Sequence, residues 1–131
     1  MPKSKRRAMS PTETEILRLV WELKEATVQQ VCERLSPSRT LAHNTVQTLL
    51  WRLEQKGYLK HHLQGRAHVF SPLIEPQEVI KTTVRDFLAR LFGGDPKPLV
   101  QFLAEDGKLD EEDIQRLREL VDKRKKKQSG L

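Results

Sequence analysis

Cysteine is nearly missing from this chain: Cys32 is the only one in 131 residues. That excludes an intramolecular disulfide and any zinc site built from several thiolates. Long apolar runs are missing too. None approaches the roughly 18 residues needed to span a bilayer, so no membrane insertion is expected. The N-terminus, MPKSKRRAMS, is basic, but no hydrophobic segment follows and it does not read as a signal peptide. A cytoplasmic chain is the consistent expectation. Also absent are an internal repeat, a phosphate-binding glycine loop and a nucleophile–base–acid set, so nothing reads as an enzyme or calls for a cofactor. Apolar residues make up only 37% of the chain, against 32% charged. At this length the chain can hold a medium domain, or a small domain with an appendage, but not an enzyme barrel or a doubly wound sheet. Small helical units that complete their cores by association fit that balance.

What is present is basic, and unevenly so. Residues 1–72 carry twelve Lys/Arg and six Asp/Glu, whereas residues 73–131 carry twelve of each. All four histidines, His43, His61, His62 and His68, also lie in the first half. A basic half joined to a neutral half is the pattern of a nucleic-acid module joined to a protein-contacting one. The expected division is therefore a domain over 1–72, with a basic tail at 1–9, and a second over 73–131.

Ser10-Pro11-Thr12-Glu13 opens a first helix. Ser caps the free N–H groups, Pro suits the first helical position, and Glu three residues on completes a capping box. Ile16, Leu17, Val20, Trp21 and Leu23 form its one-sided stripe, ending near Lys24. A second helix is predicted from Thr27 to Leu35, with Val28, Val31, Cys32 and Leu35 on one face, which makes Cys32 a small packing residue. Ser36 to Thr40 breaks the pattern. A third helix then runs from about His43 to Lys56 and closes at Gly57. Its apolar face is Val46, Leu49, Leu50 and Leu53. The opposite face offers Asn44, Thr45, Gln47, Thr48, Arg52 and Gln55, and the first two turns contain no acid. Side chains that both donate and accept hydrogen bonds suit reading base edges in a major groove, and an ordinary solvated face is richer in Glu and Lys.

Tyr58–Leu63 and Ala67–Ser71 are short strand-favouring runs joined through Gln64-Gly65-Arg66, which predicts a β-hairpin. Lys60, His61, His62, Arg66 and His68 decorate it. Helices followed by a basic hairpin are the parts of a winged helix-turn-helix, with the hairpin lying along phosphates. His62 and His68 could face each other across the hairpin. However, no carboxylate or thiolate lies nearby in sequence to complete a ligand set, so no metal site is assigned. Partial protonation beside phosphates is the simpler use of these histidines.

Pro72 and Pro76 bracket a change of character. A long helix is predicted from Pro76 to Phe92, ended by Gly93-Gly94, followed by a short segment at Leu99–Leu103. Asp110 then caps a final helix, acidic at its start and basic from Lys123 to Lys127, as the helix dipole favours. The terminal Lys/Arg run itself reads as a frayed, solvated tail. Three amphipathic helices with little core between them need a partner, and a symmetric copy is the commonest one. The dimer surface is assigned to Val84, Phe87, Leu88, Leu91, Ile114, Leu117 and Val121. The fold class expected is mainly α with a small hairpin wing, plus a C-terminal helical dimerisation domain.

The run Met9-Ser10-Pro11-Thr12-Glu13, with Ile16-Leu17 and Val20-Trp21, then Asn44-Thr45-Val46-Gln47-Thr48-Leu49-Leu50, Arg52-Leu53 and Lys56-Gly57-Tyr58-Leu59, resembles the penicillinase-repressor (BlaI/MecI) family of winged-helix regulators. The likeness continues through Phe87-Leu88 and Leu91-Phe92-Gly93-Gly94-Asp95 to Leu99-Val100, about residues 8–122 in all. It implies a bacterial homodimeric repressor of palindromic operators with TACA/TGTA-like half-sites, controlling β-lactamase or other resistance genes. It also implies release by a membrane sensor protease that cuts the C-terminal part. In this setting Asn44, Thr45, Gln47 and Thr48 lie nearest the bases, His43 and Arg52 flank them, and Ser10, Lys60 and Arg66 contact phosphates. The chain departs from the family in three ways. A basic residue is common in the family where Asn44 or Gln47 stands. The Asn-Phe bond cut in the best-known members aligns with Phe102-Leu103. The C-terminal cysteines of copper-sensing relatives are absent. Two rivals remain: a winged-helix module that docks proteins rather than DNA, and a hydrolase or metal enzyme built on the histidines.

Overall fold

The computed structural model describes residues 7–35 and 40–129. The expected break at Ser36–Arg39 and the first six residues of the basic tail lie outside them. The elements in order are α1 (Pro11–Leu23), α2 (Val28–Arg34), α3 (His43–Gln55), β1 (Leu59–Gln64), β2 (Ala67–Pro72), α4 (Pro76–Phe92), α5 (Lys97–Glu105) and α6 (Glu111–Ser129). The mainly α class with one hairpin is as expected.

Local signals set most of these boundaries. At α1 the Glu13 N–H donates to Ser10 Oγ at 3.1 Å, and the Ser10 N–H donates to Glu13 Oε1 at 2.9 Å, completing the capping box. A second box, Thr27 with Gln30, starts α2. Gly57 adopts φ 93°, the left-handed conformation that lets the chain turn out of α3 into β1. Asp110 caps α6 through the Asp113 N–H at 2.8 Å. The short segment after Gly93-Gly94 is a helix, α5, rather than an irregular stretch. The Lys123–Lys127 run continues α6 as helix and is not frayed.

The chain divides into two compact units, one through Thr83 and one from Val84. In the first, Ile16, Leu17, Val20, Val31, Val46, Leu50, Leu53 and Phe70 are fully buried together, so α1, α2 and α3 close on the hairpin. Val79, at the end of the first turn of α4, also enters this core at 3% exposure. The compact unit therefore runs on past Pro72, the boundary expected from the charge pattern, because the apolar stripe of α4 begins inside the first core. Cys32 is half-buried against the same core. Burial, with Glu33 beside it, pushes its thiol pKa above the usual value and keeps it a packing group.

β1 and β2 pair antiparallel, with His61 opposite Phe70, His62 opposite Val69 and Leu63 opposite His68. Ala26, in the α1–α2 connection, forms a further bridge to β2. Its N–H donates to the Phe70 carbonyl and its carbonyl accepts from the Phe70 N–H, both at 2.8 Å. This third strand-like edge seals Phe70 inside.

The second unit is different in kind. From Val84 to Lys127 no residue is buried. Val84, Phe87, Leu91, Ile114, Leu117 and Val121 are all exposed, and Leu88 is half-exposed. Among the described residues, no helix is long and apolar enough to cross a membrane.

Candidate nucleic-acid interface

The buried side of α3, Val46, Leu49, Leu50 and Leu53, orients the helix and leaves the other side outward. His43, Asn44, Thr45, Thr48, Arg52 and Gln55 are exposed, and Gln47 is half-buried. Asn44, Thr48, Arg52 and Gln55 follow at intervals of four, four and three residues, which places them in one line along the helix. Thr48 Oγ1 donates to the Asn44 carbonyl at 3.0 Å. Its hydroxyl therefore faces outward as an acceptor, a narrower role than the sequence suggested. α3 begins at Ala42 without a side-chain cap.

Two grooves flank the ends of α3. At its start, His43 and Gln47 share a groove of about 280 Å³ with Arg66, Ala67 and His68 of the hairpin and Thr27 to Gln29 of α2. The hairpin turn thus delivers Arg66 to the N-terminal end of α3. At the other end, Arg52, Gln55 and Lys56 line a groove of about 420 Å³ with Arg7, Ser10 and Glu13. Ser10 and Arg52, far apart in sequence, line this groove together. Lys60 is exposed on β1, opposite Ser71, and joins neither groove.

Underneath the second groove is a contact that no periodicity reveals. Glu13 is 2% exposed, and its Oε1 accepts from Lys56 Nζ at 2.7 Å. Lys56 also donates to the Ala8 carbonyl at 2.9 Å, and Tyr58 Oη donates to the Arg7 carbonyl at 2.8 Å. Burial alone would raise the Glu13 pKa. The Lys56 hydrogen bond, the Ser10 N–H and the charges of Lys56 and Arg52 outweigh it and hold the carboxyl below its usual value. Elsewhere on the domain, Arg18 and Arg34 share Glu22 and so are neutralised away from α3.

The histidines are arranged differently from the sequence reading. His62 stands opposite Val69, not His68, because the register puts them on opposite faces of the hairpin. The pair that meets is His61 and His68, with ring centroids 5.4 Å apart, both edge-on to Trp51. His61 Nδ1 also contacts Glu54 at 2.7 Å. These rings brace the hairpin against α3. Among the described residues, no group of three or more His, Cys, Asp or Glu is placed to hold a metal.

Three helices, an antiparallel hairpin and an exposed amide- and hydroxyl-bearing helix with an arginine-lined groove at each end define a winged-helix DNA-binding domain. The family model described as Penicillinase repressor matches residues 9–123, and the chain belongs to that family. The penicillinase repressor of Bacillus licheniformis is 31% identical over 117 residues, covering 89% of this chain and 91% of that protein. That of Staphylococcus aureus is 25% identical over 119 residues, covering 91% and 94%. The solution structure of the DNA-binding domain of the repressor BlaI matches with a TM-score of 0.50 and 34% identity, covering 56% of this chain and 90% of that one. The chain is thus a DNA-binding transcriptional repressor rather than an enzyme, and the family favours this over the protein-docking alternative.

Proposed function

We propose that this repressor acts in the cytoplasm as a homodimer on a palindromic operator, silencing a β-lactamase or related resistance gene. The penicillinase and methicillin-resistance regulators among its relatives support the gene class. Each protomer lays α3 in one major groove, with Asn44, Thr45, Gln47 and Thr48 at the base edges and His43 and Arg52 beside them. Ser10, Lys60 and Arg66 hold phosphates. Ser10 can do so because its Oγ accepts the cap bond and keeps its own O–H to donate. The carrying observation is the exposed, acid-free line of α3 set between Arg66 at one end and Arg7 and Arg52 at the other. No covalent chemistry is needed: occupying the promoter represses.

Thr45→Ala is expected to cost about 1–3 kcal/mol of operator binding if Thr45 touches a base. Electrophoretic shift with a palindromic TACA/TGTA duplex, against a scrambled duplex, measures it; equal binding of both duplexes by the wild type would remove the base-reading role. Affinity should also fall steeply with salt, since each phosphate contact releases a counterion. A flat salt dependence would count against the whole interface.

Dimerisation is proposed through Val84, Phe87, Leu88, Leu91, Ile114, Leu117 and Val121. Its support is that the described residues of the second unit include apolar faces on α4 and α6 but no buried residue. For release, the proposed partner is a membrane sensor protease that cuts at Phe102-Leu103. That bond lies inside α5, where Phe102 is 57% exposed and Leu103 half-exposed. Cutting it would detach α6 and with it three of the seven residues assigned to the dimer surface. Phe and Leu here in place of Asn and Phe require a protease that accepts an aromatic residue before the cut.

A further inference from the structure

We propose that the groove at the C-terminal end of α3 is a second phosphate clamp, in which Arg7 and Arg52 grip the DNA backbone on the side of the reading helix away from the hairpin, while Lys56 neutralises Glu13 beneath them. The proposal rests on the reading that α3 lies in a major groove, and adds Arg7 to the interface.

Three cations line the groove, and the single carboxylate among them, Glu13, is almost wholly buried beneath it. Its charge is spent on Lys56 Nζ and the Ser10 N–H. What faces outward is therefore positive. Arg7 and Arg52 are exposed, and among the described residues neither forms an ion pair. Ser10 and Gln55 add neutral groups capable of hydrogen bonds to the same space. Cationic and neutral donors around an open polar groove are the equipment for a phosphate oxygen.

The backbone carrying Arg7 is also held in place. The Arg7 carbonyl is fixed by Tyr58 Oη and the next carbonyl, of Ala8, by Lys56 Nζ. Tyr58 itself is buried at 7% exposure, so the anchor belongs to the core. A basic segment that served only solubility would not need two main-chain anchors to the end of the reading helix. Because the anchors use carbonyls, the Arg7 guanidinium is left for another partner.

Position completes the case. Asn44, Thr48, Arg52 and Gln55 form one line on α3, so the groove continues the reading line. Arg66 occupies the opposite end, beside His43 and Gln47. A helix of 13 residues is about 20 Å long at 1.5 Å per residue. The major groove is only about 12 Å wide, so the two ends of such a helix reach toward phosphates on opposite walls. The hairpin would serve one wall and this clamp the other. Lys3, Lys5 and Arg6 precede Arg7 in the sequence; they lie outside the described residues and the clamp does not depend on them.

The test is fluorescence anisotropy of the full chain on two labelled duplexes, a TACA/TGTA palindrome and a scrambled duplex of equal length, across a salt series. Arg7→Ala is expected to weaken binding to both duplexes by similar factors, on the order of 3–10-fold. It should also reduce the slope of log affinity against log salt by about one per protomer, while Arg7→Lys recovers most of the slope. Arg7 is exposed, so its variant should fold, and circular dichroism checks this. An Arg7→Ala protein with unchanged affinity and salt slope overturns the clamp while leaving the reading helix intact. A loss confined to the palindrome also overturns it, since a phosphate contact reads no sequence. A wild type that binds neither duplex at low salt overturns both the clamp and the reading on which it rests.

Discussion

Exchanging Phe87 and Leu91 together for aspartate is expected to produce a monomer and to weaken binding to a palindromic duplex by about 10²–10⁴-fold. The size follows from linkage. Two readers joined in a dimer bind the second half-site at high effective concentration, and a monomer loses that gain although every DNA-contacting residue is intact. Phe87 and Leu91 are 43% and 65% exposed in the single chain, one turn apart on α4. Burying such a side chain is worth about 1.5–3 kcal/mol, whereas a carboxylate in its place carries a desolvation cost of its own. Both residues lie beyond Thr83, outside the core of the first unit, so that unit should keep its fold. Sedimentation equilibrium and anisotropy on one- and two-half-site duplexes would read the result. A double variant that remains dimeric, or a wild type that is monomeric at micromolar concentration and binds both duplexes equally, would refute this assignment.

The second large effect concerns the post beneath the clamp. Removing the cation with Lys56→Ala strands Glu13 as a buried carboxylate, which is expected to cost about 3 kcal/mol of folding stability. Replacing both partners by apolar residues of similar shape, Glu13→Leu with Lys56→Met, should recover much of that loss, because no uncompensated charge is left. A pH signature separates this from simple loss of packing. The folded-state pKa of Glu13 lies below its usual 4.5. Its contribution is therefore fully present above that value and is lost as the pH falls through the folded pKa. Urea titrations should show the wild type losing stability in this acid range, and Glu13→Gln losing less over the same interval. Parallel curves for the two proteins would mean that Glu13 does not supply this acid sensitivity.

The histidine cluster shows why part of the site could not be read from sequence. A hairpin over Tyr58–Ser71 was legible from its β-rich runs and the Gly between them. Which histidines meet depends on register, and a shift of one residue transfers a side chain to the other face. The observed register pairs His62 with Val69 and brings His61, not His62, to His68 and Trp51. The division between units was misplaced for a related reason. Charge changes sign balance near Pro72, but the core is set by apolar packing, and Val79 is still part of it. α5 was visible only as a short apolar segment, because Pro96 and Pro98 around its start look like breakers, although Pro is well tolerated in a first helical turn.

The basic half and the lone cysteine point the same way in sequence and in structure. Sequence by itself determined α3 and its two faces, the capping box of α1, the Asp110 cap of α6, the glycine exit at Gly57 and the hairpin. These are local features, set by periodicities of 3.6 and 2 and by residues a few positions apart. Tertiary structure alone decided the Ala26–Phe70 bridge, the Glu13–Lys56 post and the meeting of Arg7, Ser10 and Arg52 at the far end of α3. These join residues more than forty positions apart, and such contacts leave no periodic trace because they exist only after α1, α3 and β2 have closed on one core.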